Sequence, residues 1–171
     1  PHNPSGVFFP KDAADAVIRK AALHGAYVVA DEHYRFLPID GPAPASSLAC
    51  PDQNVVAVGS ITKCFGVIGL RMGWIAASPT VIAKVRDFRD YLTHTLSPVS
   101  DFLAVVALEH AEAFTEPARE RLRKNRASLM SFADNVSGIS LVPPEGGVVA
   151  FPSFTYPVGT DAFSRGLIER H

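Results

Sequence analysis

Asn54-Val55-Val56-Ala57-Val58-Gly59-Ser60-Ile61-Thr62-Lys63 is the stretch on which the fold turns. Its first half is short and apolar, and it becomes polar at Gly59-Ser60, the pattern of a buried strand ending at a sheet edge. Working outward, Tyr27-Val28-Val29-Ala30 is a similar run that stops at Asp31, and Trp74-Ile75-Ala76-Ala77 is a third. Upstream, Ala14, Val17, Ile18, Ala21 and Ala22 recur at intervals of three and four between Asp12, a candidate N-cap, and Gly25, a stop signal. That spacing predicts an amphipathic helix. Ser78-Pro79 opens another helix through about Asp90, since proline suits the first helical position.

Strands alternating with helices predict an α/β fold with a mostly parallel sheet, helices on both faces, and strands covered on both sides. Farther on, Ser100 to Ala113 reads as a helix, and Glu116 to Val136 as a longer one opened by Thr115 with Pro117 in its first turn. Gly138 breaks it, and Pro143-Pro144-Glu145-Gly146-Gly147 leads into Val148-Val149-Ala150-Phe151, a strand-like run. A boundary near the long helix divides the chain into residues 1–136, a large domain, and 137–171, the start of a smaller α/β domain. The chain begins at Pro1 without a methionine and ends at Ile168-Glu169-Arg170-His171 within a helical pattern, so both ends read as cut.

Sixteen Lys and Arg against seventeen Asp and Glu give a net charge of −1, which removes the electrostatic case for a dedicated nucleic-acid or anionic-membrane binder. Arg119, Arg121, Arg123, Lys124 and Arg126 interleave with Glu116 and Glu120, so this stretch reads as a solvated helix face. Cys50 and Cys64 are too few for a disulfide scaffold and lack zinc-ligand clustering, so a reduced, cytoplasmic setting is the expectation. No apolar run reaches the length of a membrane span.

Polar residues collect where the strands end, the usual ligand edge of an open α/β sheet. Asp31 and Tyr34 follow the first strand, Ser60, Thr62 and Lys63 the second, and Arg71 precedes the third, with Asn3 in the opening Asn3-Pro4-Ser5-Gly6 turn. Each alone has an ordinary explanation as a cap, turn or solvated charge. Together they resemble the large domain of the fold type I pyridoxal-phosphate enzymes, in particular the class I/II aminotransferase family. Asn3-Pro4-Ser5-Gly6 is similar to its Asn-Pro-Thr-Gly loop, Asp31-Glu32-His33-Tyr34 to Asp-Glu-x-Tyr, Ser60-Ile61-Thr62-Lys63 to Ser-x-x-Lys, and Arg71-Met72-Gly73-Trp74 to Arg-x-Gly-aromatic. Four such segments in order form a strong signal over nearly the whole chain.

The resemblance implies pyridoxal 5'-phosphate as cofactor and assigns roles by chemistry. Lys63 is the Schiff-base amine and proton carrier, and Asp31 is the carboxylate facing the ring nitrogen. Asn3 and Tyr34 bond the phenolic oxygen, with Tyr34 counted among the catalytic residues together with Lys63 and Asp31. Ser60 and Arg71 hold the phosphate, with Thr62 as a further neighbour. It implies amino-acid and 2-oxo-acid substrates and a homodimer. Transamination is the expected reaction. Elimination, replacement, cyclisation or oxidation on the same cofactor is the alternative, and a catalytically silent aminotransferase-like regulatory domain is the alternative of another class.

The family's ring-stacking aromatic lies upstream of the Asn-Pro loop, and its substrate-carboxylate arginine lies downstream; neither Arg165 nor Arg170 sits in a matching motif. The expectation is therefore most of a large domain, inactive on its own. A P-loop is disfavoured because Gly59-Ser60-Ile61-Thr62-Lys63 lacks a glycine before the lysine and has Cys64 after it. No metal site is expected at Asp31, Glu32 and His33, since adjacent strand residues point to opposite faces. His33 reads first as a packed or solvent-facing residue and second as a neighbour of the cofactor, and with Arg35 it departs from the family pattern. Cys64 reads as a small buried residue rather than an activated thiol. Gly146-Gly147 is a turn or a hinge.

Overall fold

The computed structural model describes residues 1–50 and 54–170. Helix α1 spans Lys11–Leu23, two residues earlier than the Asp12 cap predicts, with Pro10 as N-cap and Asp12 in the first turn, where a carboxylate suits the helix dipole. It ends as the pattern requires. Gly25 is left-handed at φ 65°, its N–H bonds the Ala22 carbonyl at 3.0 Å, and the Ala26 N–H bonds the Ala21 carbonyl at 2.9 Å, a Schellman closure.

Strand β1 (Val28–Asp31) pairs in parallel with β2 (Val55–Ser60), matching Val28 with Val55 and Asp31 with Val58. Strand β3 (Gly73–Ala77) pairs with β2 in the opposite direction, matching Ser60 with Gly73 and Val56 with Ala77. The α/β class is as expected, but this three-stranded sheet is mixed rather than mostly parallel. The link between β2 and β3 is taken up by helix α2 (Ile61–Cys64) and a 3₁₀ turn at Ile68–Leu70, so the chain re-enters beside β2 running backwards.

Strand alternation divides the sheet into two unlike faces. Ile18 of α1, Cys50 and Val55 form a small core with Val28 and Ala30 on one face. The other face carries Val29, Asp31, Val56, Val58 and Ile75. Here Val29 is 67% and Ile75 43% exposed. α1 packs on the first face through Ile18.

Helix α3 (Pro79–Arg89) follows Ser78 as predicted. Helix α4 (Pro98–Glu109) begins at an N-cap, Ser97, whose hydroxyl accepts the Ser100 N–H, and α5 (Ala111–Asn135) follows after His110. The expected break at Thr115 is absent, and Pro117 lies inside α5. Ala111, Phe114, Ala118 and Leu122 pack on the core of Leu37, Ile61, Cys64, Phe65, Met72, Ala104 and Ala107, and this packing outweighs the one helical hydrogen bond that a proline forfeits. Phe65 stands at the centre, its ring centroid 5.5 Å from Phe36 and 6.4 Å from Phe114.

The strand expected at 148–151 lies slightly later. Strand β4 (Ile139–Leu141) pairs antiparallel with β5 (Pro152–Phe154), while Gly147 bends the chain at φ 76° and leaves the preceding apolar run outside the ladder. Phe154, Tyr156 and Phe163 of helix α6 (Thr160–Arg170) stack together, with Phe154 and Phe163 4.4 Å apart. Gly146 and Gly147 are pinned by N–H bonds to the Gly6 and Leu37 carbonyls at 3.0 and 2.9 Å, which makes this segment a junction between the opening loop and the stretch after β1.

Candidate active site

The site is built where β2 gives way to α2. Ile61 and Cys64, one helical turn apart, are fully buried in the core, and this turns Thr62 and Lys63 outward. Ser60 precedes them in extended conformation. Its side chain makes no capping bond, is only 8% exposed, and its Oγ has no hydrogen-bond partner among the described residues. An unsatisfied buried hydroxyl costs about 1–3 kcal/mol, so it marks a place where a ligand atom belongs.

Arg71 reaches the same place by a strained route, with φ 53° and ψ 40° in the left-handed region. A non-glycine residue there costs about 1–2 kcal/mol. Met72 then enters the core, and Gly73 pairs with Ser60 so closely that an added Cβ would lie 2.8 Å from the Gly59 carbonyl oxygen. Gly59 is equally constrained, since a Cβ there would lie 2.5 Å from the Trp74 indole. These contacts shape an open cleft of about 320 Å³ lined by Ser60, Thr62, Lys63 and Arg71, by Gly59, Met72 and Gly73, and by His33.

Four of the sequence-predicted residues, Ser60, Thr62, Lys63 and Arg71, are thus brought together. Asp31 does not line the cleft but is linked to it through His33. Its Oδ1 accepts the His33 backbone N–H at 3.0 Å and lies 2.5 Å from the ring Nδ1. Burial pushes the Asp31 carboxyl up, but the bonds and charge from His33 outweigh it and hold the group below its ordinary range. Asn3 is exposed in the opening loop, and Tyr34 packs on the core beside Gly147; neither lines the cleft.

Two readings change. His33 faces the cleft rather than being simply packed or solvated, and the available signal was its place two residues after Asp31, the spacing at which an aspartate closes a turn on a backbone N–H. Arg35 is structural: it pairs with Glu32 at 3.2 Å, donates to the Pro44 carbonyl and lies over the Phe36 ring at 4.2 Å. Glu32 in turn accepts the Ser47 N–H at 2.6 Å and the Ser46 hydroxyl at 3.0 Å. Cys64 is the buried residue expected, for burial pushes its thiol up to about 11 and its Sγ donates to the His33 carbonyl at 2.8 Å.

On α5 the solvated face is kept by Arg121, Lys124 and Glu120, which are exposed, but not by the other three arginines. Arg119 donates to the Pro38 and Gly41 carbonyls at 3.0 and 2.6 Å, Arg123 to the Ile39 carbonyl at 3.2 Å and to Glu116, and Arg126 to Asp40 at 2.5 Å. They clasp the segment that follows the Asp31 turn. Among the described residues no helix is long and apolar enough to cross a membrane.

Comparison with known proteins shows the family and the fold. Capreomycidine synthase of Streptomyces vinaceus is 34% identical over 175 residues, covering all of this chain and 44% of that enzyme. The aspartate/prephenate aminotransferase of Thermus thermophilus is 28% identical, covering 94% of this chain and 42% of that protein. Among solved structures, a PLP-dependent aminotransferase from Streptococcus suis superposes with a TM-score of 0.89 at 26% identity over 99% of this chain and 45% of its own. The PLP-dependent cyclase OrfR superposes with a TM-score of 0.84 at 31% identity, covering all of this chain and 47% of that one. The chain spans less than half the length of these relatives. The family model for aminotransferase class I and II matches residues 1–171, and the chain belongs to that family.

Proposed function

We propose that this chain forms the cofactor-holding part of a pyridoxal-phosphate-dependent enzyme that acts on an amino acid. The observation that carries the reading is the convergence of Lys63, Thr62, Arg71 and the unpartnered, buried Ser60 Oγ in one cleft. The residues fit the cofactor. A phosphate would satisfy the Ser60 hydroxyl and take the forked donors of Arg71, with Thr62 adjacent. Lys63 would hold the aldehyde carbon through its amine. Asp31 accepts both His33 bonds on Oδ1, which leaves Oδ2 for a protonated ring nitrogen. Asn3 and Tyr34, as partners of the phenolic oxygen, rest on the motif resemblance.

When bound, pyridoxal phosphate supplies an electron sink for charge developing at the substrate carbon. The chain's residues do the rest. Arg71 and Ser60 anchor one end of the site, Asp31 stays ionised and favours positive charge at the other, and the Lys63 amine carries a proton at the reacting carbon. A cytoplasmic homodimer divided near residues 136 and 137 belongs to the same proposal.

Transamination between an amino acid and a 2-oxo acid is the first reading, from the family. Cyclisation of an amino acid is a second, favoured by the name of one relative, the PLP-dependent cyclase at 31% identity. The test is borohydride reduction of the intact protein after incubation with pyridoxal phosphate, followed by peptide mass analysis. The phosphopyridoxyl mass should sit on Lys63, and Lys63→Ala should lose both it and turnover; the same label elsewhere in Lys63→Ala would refute the assignment. Release of a 2-oxo acid from an amino-acid donor would select transamination. A ring-closed product without 2-oxo acid would select the second reading.

A further inference from the structure

His33 has no role in the proposal above, yet it lines the cleft beside Lys63 and Arg71. It is also pinned at three atoms. The backbone N–H and ring Nδ1 both engage Asp31 Oδ1, at 3.0 and 2.5 Å, and the carbonyl accepts the Cys64 thiol at 2.8 Å. A histidine that only fills space or faces solvent needs no such fixing. Resting on the pyridoxal-phosphate reading, we propose that His33 is an acid–base residue of this site, oriented by Asp31 and using Nε2 to take up and return a proton of the amino-acid substrate.

The tautomer follows from the partner. An ionised carboxylate only accepts, so in the neutral ring the proton sits on Nδ1, and Nε2 keeps its lone pair. Nε2 has no partner among the described residues. Proton uptake breaks an X–H bond of the substrate, leaves its electron pair on X and forms N–H at Nε2. The resulting imidazolium is paired with the Asp31 carboxylate, and the reverse transfer breaks that N–H bond and delivers the proton to a substrate carbon, whose electron pair forms the new C–H bond. The charged groups around the ring are Asp31, which bonds Nδ1, and Lys63 and Arg71, which line the same cleft. Lys63 gives the site one proton carrier; His33 gives it a second, which a reaction that removes one proton and places another can use separately.

The test uses intact protein loaded with pyridoxal phosphate and compares it with His33→Asn, which retains a donor near the Nδ1 position, and His33→Gln, which retains a polar group near Nε2. His33 lies in the half-buried turn after β1, and its backbone bonds survive both substitutions, so both variants should fold. Three results are expected. Nitrogen NMR of histidine-labelled protein shows neutral His33 protonated on Nδ1, and Asp31→Asn shifts that tautomer balance. Both His33 variants still give the reduced Lys63 adduct. Their kcat falls on the order of 10²-fold, with loss of one limb of the pH profile. An Nε2-protonated ring in the unmutated protein, or a kcat and pH profile unchanged in both variants, overturns the role of His33 alone. Absence of a Lys63 adduct in the unmutated protein overturns the cofactor reading and this inference with it.

Discussion

Arg71 and the arginines of α5 carry the same guanidinium and are treated in opposite ways. Arg119, Arg123 and Arg126 each reach a backbone carbonyl, and each pairs with a carboxylate of Glu116 or Asp40. Arg71 has no hydrogen bond or ion pair among the described residues, stands on a left-handed backbone, and lies beside a buried hydroxyl that is also unpartnered. Polar groups satisfied within the chain build scaffold. A buried hydroxyl left unsatisfied beside an exposed cation held on strained backbone marks where something else binds.

The comparison breaks most sharply if the two kinds of arginine can be exchanged. Arg71→Gly should weaken pyridoxal-phosphate binding by about 10- to 150-fold, the loss of about 1.5–3 kcal/mol expected for hydrogen bonds to a charged group. The same substitution puts glycine where φ is 53°, so thermal stability without cofactor should hold or rise by up to about 1 kcal/mol. Titration with cofactor and a melting curve check both halves. Weaker binding accompanied by a large loss of stability would mean that Arg71 is scaffold after all.

Arg119→Ala is the counterpart. Two carbonyl bonds disappear from a side chain that is 19% exposed, and the expected cost is about 1–2 kcal/mol after allowance for solvent. Pyridoxal-phosphate affinity should change less than about twofold, since no α5 arginine lines the cleft. A stability curve in urea, with cofactor titration alongside, decides it. A fall in affinity as large as that of Arg71→Gly would show that the clasp on Pro38 and Gly41 sets the geometry of the site.

What was legible in the sequence follows the same division. The strand runs ending at Asp31 and Ser60 were readable because burial demands apolar residues and the edge demands polar ones, and Gly25 was readable because only a left-handed residue closes that helix end. Ser60, Thr62, Lys63 and Arg71 were readable as a set because one sheet edge gathers them. The rest depended on long-range partners. Whether an arginine on α5 meets water or the Pro38 carbonyl is decided by a segment some eighty residues away. The direction of β3 depends on how the 61–72 link is spent, and the continuity of α5 through Pro117 depends on Phe65 and its neighbours accepting Phe114 and Leu122. His33 was the closest miss, since its partner Asp31 is two residues away but the cleft it lines is completed by β3.

The smallest expected effect lies in acid, where each region contributes one carboxylate held below its ordinary value. In the clasp, Glu116 is held down by the Arg123 hydrogen bond and the charges of Arg123 and Arg119; in the site, burial raises Asp31 but the His33 bonds lower it further than that. A carboxyl whose folded pKa is depressed contributes stability that is present in full above its unfolded value, 4.5 for Glu116 and 3.8 for Asp31, and lost as pH falls through the folded value. Glu116→Gln and Asp31→Asn should each therefore flatten the acid side of a stability–pH curve while leaving its neutral region similar in shape. Salt separates them: the Glu116 contribution comes from exposed ion pairs and should shrink as ionic strength rises, whereas the Asp31 contribution includes a backbone N–H bond and should persist. Bound pyridoxal phosphate should deepen the Asp31 dependence alone, because only that carboxylate has an oxygen left to offer a ligand. Equal responses of the two to cofactor would erase the distinction between a satisfied scaffold and an open site.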